Sequence, residues 1–283
     1  MNRGQVMSND GVKLNYFVQG TGPKILVIGS SVYYPQLFSA DLFAQFQFIF
    51  LDHIGFASPS AALKPEQYQL DRVLDDLELA RQQLGLSDVV IMGHSGHAFM
   101  ALAYARKYPE QVHKVILLNS APSNSRERQI QSAAFFNETA SLERKTGFEQ
   151  DLALLEGDIR LDPERRFVHM CIRMGAQSFY YYSFDAAYMW EQVQTNMPVM
   201  DYLWGEVFAG MNLLQMLKDV RMPVFIGLGR YDYLVGPVSL WDAIDDETYP
   251  HVKKIIFEHS GHNPMFEQPE LFNQTLIQWM TQG

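Results

Sequence analysis

A serine between two glycines offers the clearest chemistry in this sequence. The stretch Gly93-His94-Ser95-Gly96-His97 directly follows the apolar run 89–92 and directly precedes a helical pattern that starts near residue 98. A sharp turn from strand to helix forces such a serine into a strained backbone conformation and lifts its hydroxyl clear of the sheet. The start of the helix behind Ser95 also favours negative charge that develops above it. We therefore expect Ser95 to be a nucleophile.

A serine nucleophile needs a base and an acid, and loops after two later apolar runs can supply both. Asp232 follows the run 224–228 and would fix the tautomer of the base. His262 follows the run 254–257 and would act as base toward Ser95 and then as acid toward the leaving group. The order serine, acid, histidine is the one found where the serine lies on such a turn.

Other residues compete for the roles of acid and base. Asp245 or Asp246 could replace Asp232, whose assignment depends mainly on chain order, and His259 could replace His262. We prefer His262 because the glycine before it and the Asn-Pro after it suit an exposed loop tip.

The turn around Ser95 departs from the common pattern in its second half. The position two residues after the serine is usually small, but His97 occupies it and glycine stands at position 96 instead. A bulky imidazole could crowd the turn, which leaves the competence of the nucleophile open, and it could also reach a substrate. The single cysteine, Cys171, lacks the context of a nucleophile and is expected to be a small buried apolar residue.

Short apolar runs alternate with helical patterns in the first and last parts of the chain. The expected strands are 25–28, 48–51, 89–92, 115–118, 224–228 and 254–257, and the expected helices are 71–84, 98–108 and 270–280. This alternation predicts an α/β fold with a mostly parallel sheet covered by helices on both faces. At the start, a strand-like segment at 12–18 is followed by a turn signal at 19–23, which predicts a hairpin.

The alternation stops at about residue 123 and returns at residue 224. The intervening stretch is rich in helix formers and aromatics, which predicts an inserted, mostly helical cap at 125–219. The core would then consist of residues 1–124 and 220–283. The aromatic segment 179–188 is expected to lie partly in the interior of the cap and partly along a pocket.

Composition narrows the possible partners. Apolar residues make up 47% and charged residues 19% of the 283-residue chain, as in a packed globular enzyme. The net charge of -10 argues against a nucleic-acid partner, and no apolar stretch is long enough for a membrane span. One cysteine excludes an intrachain disulfide, and residues 1–19 lack a signal-peptide pattern, so we expect a cytoplasmic protein. We expect no metal and no cofactor, and the oligomeric state stays open.

Several stretches together resemble the α/β-hydrolase superfamily over nearly the whole chain. They are Ile28-Gly29-Ser30-Ser31, residues 52–58, the Ser95 turn, residues 229–232, residues 260–262 and residues 267–270. The resemblance implies the α/β-hydrolase fold, with a helical cap and a catalytic triad of Ser95, Asp232 and His262. Within the superfamily the chain is most similar to capped members related to proline iminopeptidases.

The resemblance also implies an oxyanion hole formed by the backbone N–H groups of Ser30 and Gly96. Ile28 stands where related chains usually carry histidine. Iminopeptidases commonly have Gly-Gly-X-Gly in this loop, whereas this chain has Ser-Ser-Val-Tyr at 30–33, which weakens the aminopeptidase interpretation. Ser31, Tyr33 or Tyr34 could instead donate a side-chain hydrogen bond to a substrate.

Three functions remain in competition. The first is a serine hydrolase that cleaves a small carboxylic ester, thioester or lactone through an acyl-enzyme. The second is an aminopeptidase acting on a short peptide, in which a cap glutamate would bind the free amine; the candidates are Glu138, Glu164, Glu191 and Glu206. The third is a ligand-binding protein with an idle triad, which His97 favours. A carboxylate facing Ser95 would favour the amine, and an apolar wall would favour the ester.

Overall fold

A computed structural model describes residues 2–58 and 62–282, and its eight strands form one sheet. The strands are β1 (Asn2–Met7), β2 (Lys13–Gln19), β3 (Lys24–Ile28), β4 (Gln47–Leu51), β5 (Val89–His94), β6 (Val112–Leu118), β7 (Val224–Gly229) and β8 (Val252–Phe257). Their order across the sheet is β1-β2-β4-β3-β5-β6-β7-β8. Only the pairs β1–β2 and β2–β4 are antiparallel, so the predicted mostly parallel sheet is confirmed.

The predicted N-terminal hairpin is wrong, because β2 does not pair with the strand that follows it. β2 pairs with β1 through a turn at residues 8–12, and its other neighbour is β4. β3 lies between β4 and β5, so the turn signal at 19–23 joins two strands that are not adjacent. Segment 2–7 was missed because its partly exposed side chains lack a continuous apolar run.

Twelve α-helices complete the described part of the chain. They are α1 (Ala40–Phe43), α2 (Leu70–Gln83), α3 (His97–Lys107), α4 (Arg126–Thr139), α5 (Leu142–Leu161), α6 (Arg166–Arg173), α7 (Gly175–Ser178), α8 (Ala187–Trp190), α9 (Met197–Tyr202), α10 (Leu213–Leu217), α11 (Pro264–Glu267) and α12 (Pro269–Thr281). A π-helical turn, Leu203–Val207, follows α9. None of the helices that are described is long and apolar enough to cross a membrane.

The sheet is covered by apolar clusters on both faces. On one face, Leu26 and Ile28 of β3 pack in a cluster with α2 and α3. On the other face, Ile25 and Val27 pack in a cluster with α12. Because alternate side chains of β3 are buried on opposite faces, the strand appears in the sequence as an unbroken apolar run.

Helices α4 to α10 lie between β6 and β7, and residues 119–223 contribute no strand to the sheet. α4 begins at Arg126 and α10 ends at Leu217, inside the interval in which the sequence predicts a cap. Within residues 119–223 the only β-type contact is an isolated bridge between Ser123 and Asn212, which brings the two ends of this region together.

The ends of β7 and β8 approach each other with little space to spare. A Cβ atom on Gly229, the last residue of β7, would lie 1.7 Å from the carbonyl oxygen of Gly261. Gly261 in turn packs on the cap, because its own Cβ would lie 2.4 Å from the carbonyl oxygen of Ser178. Glycine is therefore required at both positions for the β8 loop to lie between the sheet and the cap.

We expect Gly229→Ala to lower the free energy of unfolding by about 3 kcal/mol, because backbone must move to admit the methyl group. The matched control is Gly157→Ala inside α5, where a Cβ meets nothing within 4 Å. That change should raise stability by up to about 1 kcal/mol, since alanine costs less backbone entropy in a helix. Urea unfolding of the two variants measures both effects, and equal stabilities would contradict the steric requirement.

Candidate active site

Ser95 lies on the predicted turn between β5 and α3. Its φ angle is 58°, in the left-handed region that non-glycine residues rarely adopt, and its N–H donates to the carbonyl of Leu118 at 2.8 Å. A Cβ on Gly93 would lie 2.2 Å from the carbonyl oxygen of His97, so only glycine permits strand and helix to approach this closely. The backbone therefore holds Ser95 in a strained conformation at the carboxyl end of β5.

Asp232 and His262 form a buried pair near Ser95. The loop after β7 carries Asp232, the loop after β8 carries His262, and Oδ2 of the aspartate lies 2.7 Å from Nδ1 of the histidine. Ser95 and His262 line the same cavity. Because β5, β7 and β8 are parallel, their carboxyl ends lie on the same edge of the sheet and bring these three residues together.

Asn119 also holds this pair, and sequence reasoning missed it. It follows β6 with a φ angle of 43°. Its Nδ2 donates to Oδ2 of Asp232 and to the carbonyl of Gly261, both at 2.9 Å. The other carboxylate oxygen, Oδ1, accepts from the N–H groups of Leu234 and Val235. An asparagine after a strand is too common in loops to signal this role from sequence.

The structure places the rival residues elsewhere. His259 is exposed, one side of its ring facing Tyr180. Asp245 and Asp246 are exposed, and Asp245 accepts backbone N–H bonds within its own turn. The geometry therefore brings Asp232, and neither of the other two aspartates, to His262.

Glu267 anchors the loop that carries His262. Its carboxylate accepts four hydrogen bonds; the donors are the hydroxyl of Ser260 and the N–H groups of Tyr180, Gly261 and Asn263. Burial raises the pKa of Glu267, while these donors act in the opposite direction.

The loop of His262 also contacts the cap. Tyr180 belongs to the cap, and the N–H of His262 donates to the cap carbonyl of Ser178 at 2.5 Å. The loop of His262 is thus fastened to both regions of the molecule.

The two N–H groups expected to form the oxyanion hole have no acceptor within the described residues. Ser30 follows β3, and its hydroxyl accepts from the N–H groups of Val32 and Tyr33, which shapes the loop. Gly96 directly follows Ser95 and precedes α3. Unpaired backbone donors beside a serine on such a turn could bind a developing oxyanion.

Ser31, expected as a substrate contact, does not line the cavity. Its N–H donates to Oδ1 of Asp52 at 2.6 Å, and burial raises the pKa of Asp52 to about 6. Tyr33, Tyr34 and His97 do line the cavity. The ring of Tyr33 stacks on Trp190 of the cap, with the ring centroids 4.0 Å apart.

The cavity above Ser95 has a volume of about 210 Å³ and a mostly apolar wall. From the core it is lined by Ser30, Tyr33, Tyr34, Phe56, His94, Ser95, His97, Leu234, His262 and Asn263, and from the cap by Phe167, Met170, Cys171, Met174, Ser178, Phe179, Trp190 and Trp204. None of these described lining residues is acidic. The glutamates considered for amine binding, Glu138, Glu164, Glu191 and Glu206, are all exposed.

One face of α6 supplies much of the cap wall. Phe167, Met170, Cys171 and Met174 are spaced i, i+3, i+4 and i+7, the pattern of an apolar helix face. This spacing is visible in the sequence, but the pattern cannot tell whether a face meets a pocket or a solid core. Cys171 is half-buried, and desolvation raises the pKa of its thiol to about 12, so it is protonated at neutral pH.

Three buried histidines and Tyr34 form a continuous chain of hydrogen bonds beneath the cavity. The N–H of Gly55 donates to Nδ1 of His53, whose Nε2 lies 3.0 Å from Nε2 of His97. Nδ1 of His97 lies 2.8 Å from the hydroxyl of Tyr34, which lies 3.4 Å from Nδ1 of His94.

At the far end of this chain, Nε2 of His94 lies 2.7 Å from the carbonyl oxygen of His262. Only one set of tautomers satisfies every link with neutral rings: His53 and His94 carry hydrogen on Nε2, and His97 carries it on Nδ1. Burial lowers the pKa of His53 to about 3 and the pKa values of His94 and His97 well below the ordinary value, so the rings stay neutral. His97 is thus engaged on both nitrogens and does not crowd the turn.

We expect this network to make the protein sensitive to acid. The pKa of His53 is lower in the folded state than the 6.5 of an unfolded chain, so the unfolded state binds more protons as pH falls below 6.5 and stability is lost. Between pH 7.5 and pH 5, His53→Gln should lose about 2 kcal/mol less unfolding free energy than the wild type. Urea unfolding at both pH values measures this difference. His113→Gln, at an exposed histidine, is the control, and equal pH dependence of all three proteins would contradict a neutral buried His53.

Comparison with known proteins agrees with this architecture. A family model of the alpha/beta hydrolase fold matches residues 22–269. The chain belongs to the α/β-hydrolase superfamily. The AB hydrolase superfamily protein YclE of Bacillus subtilis (strain 168) is 59% identical over 282 residues, which cover 100% of both chains. The superfamily and fold expected from the sequence are therefore confirmed.

More distant relatives have varied activities. A proline iminopeptidase of Clostridioides difficile (strain 630) is 24% identical, with 83% of this chain and 80% of the relative covered. The structure of an esterase from Exiguobacterium antarcticum aligns with a TM-score of 0.66 at 18% identity, covering 98% of this chain and 99% of the other. Such distant likeness shows the common fold and specifies neither the activity nor the substrate.

Proposed function

We propose that this protein is a serine hydrolase that cleaves a small carboxylic ester through an acyl-enzyme. The observation that carries the proposal is a serine on a strained turn below an apolar cavity whose described lining contains no carboxylate. An ester needs no counter-charge from the pocket, because both of its ends can be neutral. A free N-terminal amine would have to be buried without an acidic partner, which is costly.

The chain's own residues can take each part of the reaction. Ser95 would attack the ester carbonyl while His262 takes its proton, and Asp232 would hold His262 in the tautomer with hydrogen on Nδ1. The N–H groups of Ser30 and Gly96 would stabilise the oxyanion. The alcohol would leave with the proton carried by His262, and water would then release the acid by the same steps.

The cavity volume favours a small substrate. A cavity of about 150 Å³ is enough to hold benzene, and this one, at about 210 Å³, has space for a ring with a few further atoms. We therefore expect short acyl chains or a single aromatic ring to fit, and long acyl chains to be excluded unless the cap opens.

We expect the protein to hydrolyse p-nitrophenyl butyrate far faster than p-nitrophenyl laurate or prolyl-naphthylamide, and a fluorophosphonate probe to label Ser95. Ser95→Ala should abolish labelling, and Asp232→Asn should lower kcat by about 10⁴-fold, since the base loses its correct tautomer. Asp245→Asn at an exposed turn is the matched control and should keep full activity.

Two outcomes would favour the other functions. If the protein cleaves only the naphthylamide, the aminopeptidase function would be favoured. The distant relatives named proline iminopeptidases are of that class. The probe could also fail to label the wild-type protein even though a melting temperature equal to that of Ser95→Ala shows that it is folded. That result would favour a binding protein with an idle triad.

A further inference from the structure

A second cavity also borders Ser95. Its volume is about 150 Å³, and it shares Ser95, Trp204 and Leu234 with the first cavity. Its remaining lining includes Gly96, Asn124 and Arg128. We call it the Arg128 chamber. Ser95 therefore stands where an apolar cavity meets a chamber that contains a cation, and an ester bound to Ser95 could extend into both.

Arg128 has no negatively charged partner within the described residues. Its Nη1 donates to the carbonyl of Leu234 at 2.9 Å and to the hydroxyl of Ser132 at 3.1 Å, and its Nη2 donates to Oδ1 of Asn124. All three acceptors are neutral, and the buried Nε–H has no acceptor in the described chain. A guanidinium can donate five hydrogen bonds, so this one has unused capacity.

The absence of a counter-ion is costly because the side chain is partly desolvated. Burial lowers the pKa of Arg128, and the field of Asp232 acts in the opposite direction. A guanidinium stays protonated in proteins, so the group is a cation. Asp232 is itself engaged with His262 and Asn119. By contrast, Arg144 in α5 donates to three cap carbonyls and lines neither of these cavities, as expected of a purely structural arginine. A partly buried cation without an ionic partner would be stabilised by an anionic ligand.

Two helix starts add positive potential to the same chamber. Gly96 immediately precedes α3. Arg128 lies in the first turn of α4, whose N-terminal capping residue is Ser125. The N-terminal end of a helix carries partial positive charge and favours anions. No residue of the described lining is acidic. Glu127 also lies in the first turn of α4, but it is exposed and does not line the chamber. The start of α3, the arginine and the lack of acids in the lining favour negative charge in the chamber.

We propose that the Arg128 chamber binds a carboxylate of the substrate, so that the preferred ester has an apolar group on one side of the scissile bond and a free carboxylate on the other. Half-esters of short dicarboxylic acids have this chemistry. The planar guanidinium suits a carboxylate, which can accept two parallel hydrogen bonds from it. This inference rests on the proposed esterase function and adds the class of ester.

The test compares monobenzyl succinate with benzyl butyrate, which have the same length but differ in the terminal carboxylate. Release of benzyl alcohol gives kcat/KM for both esters. We expect the wild type to prefer the half-ester by at least about 10-fold, and Arg128→Gln to lower the ratio of the two values by about 10- to 100-fold, as for loss of a charged hydrogen bond. Arg128→Lys should retain part of the ratio, because it keeps the charge but loses the planar fork.

The control is Arg126→Gln, an exposed arginine at the start of the same helix, which should leave the ratio unchanged. A purely structural role for Arg128 would lower both kcat/KM values together, with a lower melting temperature and the same ratio, and would overturn the proposal. Equal rates of the two esters with the wild type would also overturn it.

Binding to the Ser95→Ala protein separates this inference from the proposed function, because it requires no turnover. Calorimetry should show tighter binding of monobenzyl succinate than of benzyl butyrate, and loss of the difference in Ser95→Ala/Arg128→Gln. If neither ester is hydrolysed but this difference is present, the esterase function fails and the carboxylate site stands. If inorganic phosphate competes better than succinate, the assignment of a carboxylate is wrong.

Discussion

The buried carboxylate of Asp232 is the interaction on which the geometry of the site depends. It accepts hydrogen bonds from His262, Asn119 and two N–H groups of its own loop, so both oxygens are fully engaged. These partners come from loops after β6, β7 and β8, and they meet only if those strands are adjacent, parallel and in register. The close contact of Gly229 with Gly261 is the steric consequence of bringing two of those loops together.

In the irregular turn around Ser95, the small residue lies one position after the serine, at Gly96, and His97 occupies the position that is usually small. Gly96 takes the close contact with the cap, since a Cβ there would lie 2.6 Å from the ring of Trp204. His97 then turns toward Tyr34 and His53 and becomes the middle of a buried network that ends at the backbone of His262. A bulky polar side chain at this position is tolerable because every one of its hydrogen-bonding atoms has a partner.

The cap and the core both contribute residues to the walls of the cavities around Ser95. Glu267 joins the loop of His262 to the cap through the N–H of Tyr180, so the position of His262 and the position of the cap wall are coupled. In one cavity beside Ser95 the face of α6 makes an apolar wall, and in the other the start of α4 contributes Arg128. The walls around Ser95 therefore come from helices of the cap as well as from the loops of the core.

The mostly parallel sheet, the superfamily and the turn that carries Ser95 could be predicted from the sequence, because they depend on local patterns. An apolar run, a glycine and a helical period follow one another directly in the chain, so the turn between strand and helix can be predicted without knowledge of tertiary contacts. Tertiary contacts were needed to show that β2 pairs with β1 and β4 and that Asp232 rather than Asp245 or Asp246 contacts His262. They also show that Asn119 holds Asp232 and that Arg128 lines a cavity beside Ser95. These residues are far apart in the chain, and their contacts follow from which strands are neighbours and how the cap packs, which no local spacing specifies.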